Sequence, residues 1–274
     1  MSDSNNSNLH IHIDGPVARV TIDRPEKKNA MSPSQHAAMH EALDRIEAAG
    51  GVKVVVLTGV GDVFCGGMDL ETYFLEAYPE PERFRGNLRS SHSWMRRWKA
   101  FDAVTVAAVN GWCVGGGLLM AAISDIVITA DEAQFSLSEV NFGIFPSGGT
   151  TWAMARNMPA KQALYYMLTA ERFAGPRAVE LGLATRSVPR EQLNAVVSEL
   201  CTTLANKDRE ALRYTKLVYE RVRDMNYADA QQFEVAMLFD LSYQTDNKWI
   251  NQALEQFRKR SYRPALESFE DESK

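Results

Sequence analysis

Two glycine clusters and one isolated glutamate are the residues of this chain with the strongest claim to chemistry. The stretch GWCVGGGLLM, residues 111–120, follows the apolar run VTVAAV and sets three consecutive glycines where a helix should begin. A second stretch, FCGGMDL, follows another apolar run, VKVVVLTG. Each glycine costs roughly 0.5–1 kcal/mol against alanine inside regular structure, so such a run marks a place where backbone comes close to something else. Free N–H groups at a helix start can face an anion or a polarised carbonyl. Two such loops giving one N–H each to a shared oxygen make an oxyanion hole from backbone alone. On pattern alone, tight strand-to-helix turns explain both clusters equally well.

Glu139, in FSLSEVNFGIFPSGG, sits in an otherwise apolar stretch between Glu132 and Arg156. A carboxyl group in such a setting is desolvated and titrates high, which suits proton transfer; a residue at the surface end of a strand is the plainer alternative. Other site chemistries lack their patterns. Cys113 stands where the dinucleotide fingerprint needs its second glycine, no Gly-Lys-Ser/Thr follows the cluster, and no G-x-S-x-G elbow occurs. His36 and His40 are four apart on a helical pattern but have no evident third ligand, so no metal is expected. The mixed basic and aromatic stretch FRGNLRSSHSWMRRWK reads as a solvated helix anchored by Trp94 and Trp98.

The elements that must carry these residues follow from periodicity. HIHIDG and VARVTI alternate around Asp14 and Gly15 as a hairpin. Ser32 and Pro33 open a helix with Met39, Leu43 and Ile46 on one face. VKVVVLTG and VTVAAVNG are continuous apolar runs suited to strands buried on both faces, and DIVITA and AQFSLSE add shorter strands. From GTTWAMARNMPAKQALYYMLTAERF onward the pattern is largely helical. The expected organisation is an α/β core over residues 1–190 and a helical region over residues 191–274.

The chain has 274 residues and a formal charge of -5, with 30 basic residues scattered rather than blocked, so nothing favours a nucleic acid partner. Three cysteines without C-x-x-C spacing argue against a disulfide framework or zinc site. The polar start, with no apolar segment of membrane length anywhere, leads us to expect a cytoplasmic protein with a short frayed beginning.

The motifs RPEKKNAMS, VVVLTGVGDVFCGGMDL, AAVNGWCVGGGLLMAAISDIVITADEAQFSLSEVNFGIFPSGG and YYMLTAERFAGPRAVELGLATRSVP occur in the order typical of the crotonase, or enoyl-CoA hydratase/isomerase, superfamily, which the chain resembles over nearly its whole length. Within it, NAMSP, GMDLETYF, VNGWCVGGG and LSEVNFGI resemble the hydroxycinnamoyl-CoA hydratase-lyase subgroup. The resemblance implies a crotonase (ClpP-like) spiral of ββα units with a C-terminal helical trimerisation region, in a homotrimer or dimer of trimers. It implies an acyl-CoA thioester as substrate and no separate cofactor. Met68 and Gly116 would give the two N–H groups and Glu139 the carboxylate. Lys28, Ala30, Gly67, Leu70 and Trp112 would meet coenzyme A, and Tyr73, Leu119, Phe142 and Phe233 the acyl group.

Two departures qualify that implication. Leu119 stands where typical enoyl-CoA hydratases carry a second glutamate and the subgroup usually has serine. A second substrate-facing tyrosine of the subgroup falls near Phe233, with Tyr243 close by. The single glutamate leaves an enoyl-CoA isomerase or another hydratase as alternatives, and a non-catalytic CoA-ester or RNA-binding protein of the same fold as one from a different class.

Overall fold

The structure, a computed structural model, describes residues 8–264 and 267–268. The expected frayed start, residues 1–7, lies outside them. Ten strands occur in chain order: β1 (Leu9–Asp14), β2 (Val17–Ile22), β3 (Val54–Gly59), β4 (Val63–Cys65), β5 (Val104–Val109), β6 (Trp112–Val114), β7 (Ile126–Ala130), β8 (Gln134–Ser136), β9 (Phe173–Ala174) and β10 (Arg186–Val188). They form a six-stranded sheet ordered β1-β2-β3-β5-β7-β10 and a four-stranded sheet ordered β4-β6-β8-β9. Three times in succession the chain lays one strand in the larger sheet and the next in the smaller, so the fold climbs as a spiral of ββα turns. The sheets are parallel except at the β1/β2 hairpin and the β8/β9 pair.

The strand sequences explain which face is covered. All six residues of β5 are buried, as a central parallel strand with both faces packed requires, whereas β1 alternates half-buried and exposed positions at the sheet edge. The hairpin register pairs Asp14 with Val17, as the turn dipeptide suggested.

Helix α1 (Pro33–Ala49) starts at a capping box between Ser32 and Gln35 and buries Met39, Leu43 and Ile46. Helix α2 (Pro81–Lys99) packs on it through fully buried Trp94 and Trp98. The Trp94 indole donates to His36 Nδ1 at 2.8 Å, and the Trp98 indole to Ser124 Oγ at 3.0 Å, so each polar tip is satisfied inside the core.

Helix α3 (Gly116–Ala122) follows the glycine triplet, and α4 (Thr150–Asn157) and α5 (Ala160–Thr169) divide at Met158 and Pro159 what the sequence pattern read as one helical stretch. After α6 (Gly175–Glu180) come the long helices α7 (Arg190–Ala205), α8 (Arg209–Val222) and α9 (Tyr227–Gln244). Helix α7 lies on the large sheet and adds Leu193, Val197 and Cys201 to the core. Helix α8 is held to the sheet by Lys216, which donates to the carbonyls of Phe101 and Ala103 and pairs with Asp125 at 2.7 Å. Helix α9 packs on α8 and leaves Val235, Leu238 and Phe239 exposed.

Candidate active site

The two glycine clusters meet. A Cβ built on Gly67 would stand 2.9 Å from the Val114 carbonyl oxygen and 3.4 Å from the Gly116 nitrogen, and one on Gly116 would stand 3.8 Å from Met68 N. Gly117 would drive a side chain into the backbone of Cys65, at 2.4 Å from its carbonyl oxygen. These glycines are therefore required by backbone-to-backbone approach, the condition inferred from their cost.

Peptide geometry fixes where the N–H groups of this junction point. The Gly67 carbonyl accepts from Met31 N at 2.7 Å, and no peptide bond among the described residues is cis, so the Met68 N–H of the same peptide unit faces away from Met31. Likewise the Gly115 carbonyl accepts from Leu119 N at 3.1 Å inside α3, so the Gly116 N–H points out of the helix start. Met68 and Gly116 are each half-buried between fully buried neighbours. Two donors this close, each turned away from its own carbonyl's partner, can converge on one oxygen.

Glu139 begins the 3-10 turn Glu139–Phe142 and comes to this junction through Gly115. Its Oε1 lies 3.1 Å from where a Gly115 side chain would begin, and Gly115 holds φ +51 and ψ −115, a conformation open to glycine alone. Glu139 Oε2 is buried with no hydrogen-bond partner among the described residues. Burial pushes the carboxyl above the usual carboxylate range, and its own backbone N–H only partly opposes this. Leu119, one turn along α3 from Gly115, is buried and puts an apolar side chain at that position.

The other expected residues distribute around this centre. Lys28 is exposed at φ +53, and its carbonyl accepts from Gly66 N at 2.9 Å, which holds the RPEKKNA segment against FCGGMDL. Ala30 is half-buried beside it and Leu70 exposed. Trp112 is half-buried on β6 under the Arg172 guanidinium, 5.4 Å from its ring. Tyr73 lies in the π-helical turn Glu71–Ala77, fully buried, with its hydroxyl directed at α2: it donates to the Asn87 carbonyl at 3.5 Å and lies against the Ser91 hydroxyl. Phe142 is exposed beyond Glu139. Phe233 lies on α9, whose main packing partner among the described elements is α8.

Sequence reasoning missed the braces behind these loops. Arg24 reaches Asp69 at 2.5 Å and the Ala30 carbonyl at 3.1 Å. Asp69 in turn accepts from the N–H groups of Glu71 and Thr72. Burial alone would push Asp69 up, but Arg24 and the Thr72 N–H outweigh it and hold the carboxyl low. Fully buried Asn29 spans the Val60 and Val63 carbonyls. Arg24, Asn29 and Asp69 all fall inside the motif stretches, but their pairing joins segments 45 residues apart and has no local signature.

Among the described residues no three His, Cys, Asp or Glu side chains group as a metal site, and no helix is long and apolar enough to cross a membrane. Fold and junction define an α/β spiral protein that presents paired backbone N–H groups beside the unpartnered, buried Oε2 of Glu139. The chain belongs to the enoyl-CoA hydratase/isomerase family, whose sequence profile matches residues 12–263, and it is an enzyme of lyase type. It is similar to a hydroxycinnamoyl-CoA hydratase-lyase of Pseudomonas fluorescens, 36% identical over 95% of this chain and 96% of that one. A carnitinyl-CoA dehydratase of Salmonella typhi is 27% identical over 82% of this chain and 85% of its own length. The crystal structure of an enoyl-CoA hydratase from Bacillus anthracis shares the fold, with a TM-score of 0.84 over 92% of this chain and 96% of that one at 24% identity.

Proposed function

We propose that the protein hydrates the α,β double bond of a hydroxycinnamoyl-CoA thioester and then cleaves the adduct by retro-aldol to an aromatic aldehyde and acetyl-CoA. The reading rests on the packing of Gly67 and Met68 against Gly115 and Gly116 beside the unpartnered Oε2 of Glu139. The similarity to the hydratase-lyase of Pseudomonas fluorescens along nearly the whole chain supports it.

The thioester oxygen receives the Met68 and Gly116 N–H groups, which stabilise the enolate that forms when water adds to the β-carbon. Losing one such donor typically costs about 10²–10³ in rate. Glu139 directs the water. In the second step the β-hydroxyl loses its proton, the Cα–Cβ bond breaks, and its electron pair returns to the thioester as the same kind of enolate. One oxyanion hole therefore serves both steps. A hydroxyl on the substrate ring supplies the electronic push that a second carboxylate gives in ordinary hydratases, in keeping with an apolar Leu119.

Coenzyme A lies along Lys28, Ala30, Gly67, Leu70 and Trp112, with no separate cofactor. The exposed apolar residues of α5 and α9, among them Leu164, Leu168, Leu238 and Phe239, support a homotrimer or a dimer of trimers. We place the protein in the cytoplasm.

A second reading, an enoyl-CoA isomerase, is favoured by one observation: Leu119, one turn along α3 from Gly115, is apolar and buried, and a proton shuttle needs no water. Product analysis separates the two. Incubation with feruloyl-CoA is expected to release aldehyde and acetyl-CoA; double-bond migration in a nonaromatic enoyl-CoA without aldehyde formation would decide for the isomerase.

A further inference from the structure

Each N–H donor of the junction stands three positions beyond a cysteine, Met68 after Cys65 and Gly116 after Cys113. The two cysteines are register partners on the adjacent parallel strands β4 and β6, and both are fully buried. Both glycine loops therefore leave the smaller sheet from one rung. At that rung the two thiols differ in what they hold.

Cys65 Sγ accepts the Gly67 N–H at 3.3 Å and, as a donor, lies 3.8 Å from the Gly67 carbonyl oxygen. One sulfur thus contacts both peptide planes that meet at the Gly67 Cα. Gly67 holds φ +93, and having no Cβ it has nothing of its own to limit rotation there. The second of those planes, from Gly67 to Met68, carries the Met68 N–H, so a turn about either soft dihedral of Gly67 swings that N–H off the shared oxygen. The Met31 N–H holds the carbonyl of this plane at 2.7 Å, and the thiol adds a grip on the plane before it.

The thiol has little room to do anything else. A Cβ built on Gly117 would stand 2.9 Å from Cys65 Cβ, so the side chain is wedged between the Met68 loop and the first turn of α3. Burial pushes the Cys65 thiol up to about 12 against the opposing Gly67 N–H, which keeps it neutral, a weak donor and acceptor and no nucleophile. Burial first, and Cys65 second, raise Cys113 as well, but its sulfur makes no hydrogen bond among the described residues.

We propose that Cys65 is a positioning residue for the oxygen-binding pair: its thiol clamps Gly67 and thereby aims the Met68 N–H at the thioester oxygen. The clamp rests on the reading of Met68 and Gly116 as that pair, and the test separates the two.

The probe is phenylpropanoyl-CoA isotopically labelled at the thioester carbonyl carbon, which has no double bond to hydrate. Difference infrared spectra with the wild type are expected to show the carbonyl stretch lowered from its free-ligand value, because two N–H donors polarise the C=O. Cys65→Ala should lose part of that lowering and reduce kcat on feruloyl-CoA about ten- to a hundredfold, with KM changed less than about twofold. Cys65→Ser keeps a donor and an acceptor and should restore most of both. Cys113→Ala removes the same sulfur from the other side of the rung; it should melt lower without moving the carbonyl stretch.

A Cys65→Ala variant with the wild-type stretch and kcat overturns the clamp, as does a serine variant no better than alanine. An equal displacement of the stretch in Cys113→Ala overturns it too, since packing of the rung would then suffice. Should the alanine variant fail to fold, Cys65→Val fills the site without a polar atom and is read the same way. A wild type whose bound carbonyl keeps the free-ligand frequency overturns the pair and the clamp together, whereas a lowered stretch that no Cys65 variant moves overturns the clamp alone. Aldehyde release from feruloyl-CoA by the wild type is scored separately: its absence sinks the hydratase-lyase reading, and the infrared result still decides Cys65.

Discussion

Gly115 and the Glu139 carboxyl share one space: the volume a side chain at residue 115 would need begins 3.1 Å from Glu139 Oε1. The glycine triplet therefore does two things at once. Gly116 offers an N–H outward, and Gly115 leaves room for the acid beside it. Gly115→Ala is expected to cost about 1–3 kcal/mol through its φ of +51. It should lower kcat much more than thermal stability, because the displaced group is Glu139. Thermal melts beside steady-state rates check this; a variant with wild-type kcat would separate the carboxyl from the chemistry.

Burial of Glu139 has a signature in stability. Its folded pKa is raised, so the stability tied to this group is fully present below the unfolded value and is lost as pH rises through the folded one. Glu139→Gln imitates the protonated form. The variant should melt above the wild type near neutral pH, with the difference closing in acid, while hydration activity falls by orders of magnitude. Melting curves from pH 4 to pH 8 (roughly the span that brackets a raised carboxyl) read out both signs.

In the Arg24–Asp69 pair the carboxylate is buried and the guanidinium half-buried, and removing Asp69 strands the Arg24 charge. Asp69→Ala is expected to destabilise by about 1–3 kcal/mol. It should also weaken acyl-CoA binding, because Asp69 ties the segment of Lys28 and Ala30 to that of Met68 and Leu70. Asp69 is held low, so its contribution is present at neutral pH and lost as pH falls through its folded value. Denaturant titration and ligand binding on Asp69→Ala and Asp69→Asn measure the two effects, with the asparagine intermediate.

Much of this was legible beforehand because it is local. The hairpin, the Ser32 cap, the buried strands and the helical tail each rest on period or on a capping residue a few positions away. The two glycine clusters announced close backbone approach, and their meeting agrees with it. The smaller sheet was less legible: β4, β6 and β9 are two or three residues long, too short to show a period. The turn at Glu139 and the π-helical turn at Tyr73 are set by what they pack against. His36, four residues from His40 on the same helix, is 2% exposed under Trp94, and helix spacing alone does not say which face the neighbouring helix covers.

That buried His36 contributes to the acid limb of stability. Trp94 donates to Nδ1, so Nδ1 carries no proton and the ring is the neutral Nε2–H tautomer. Burial, and then the charges of His92 and His40, push its pKa down to about 3. For a lowered pKa the contribution is present above the unfolded value of 6.5 and is lost as pH falls toward 3, at up to about 1.36 kcal/mol for each pH unit. His36→Phe removes that titration but leaves the Trp94 N–H without its acceptor, a penalty of about 1–3 kcal/mol at every pH. The variant should therefore be less stable than the wild type at pH 7 (roughly half a unit above the ordinary histidine value) and lose stability more slowly in acid. The two curves of unfolding free energy against pH should converge; parallel curves would mean that His36 is not the group responsible.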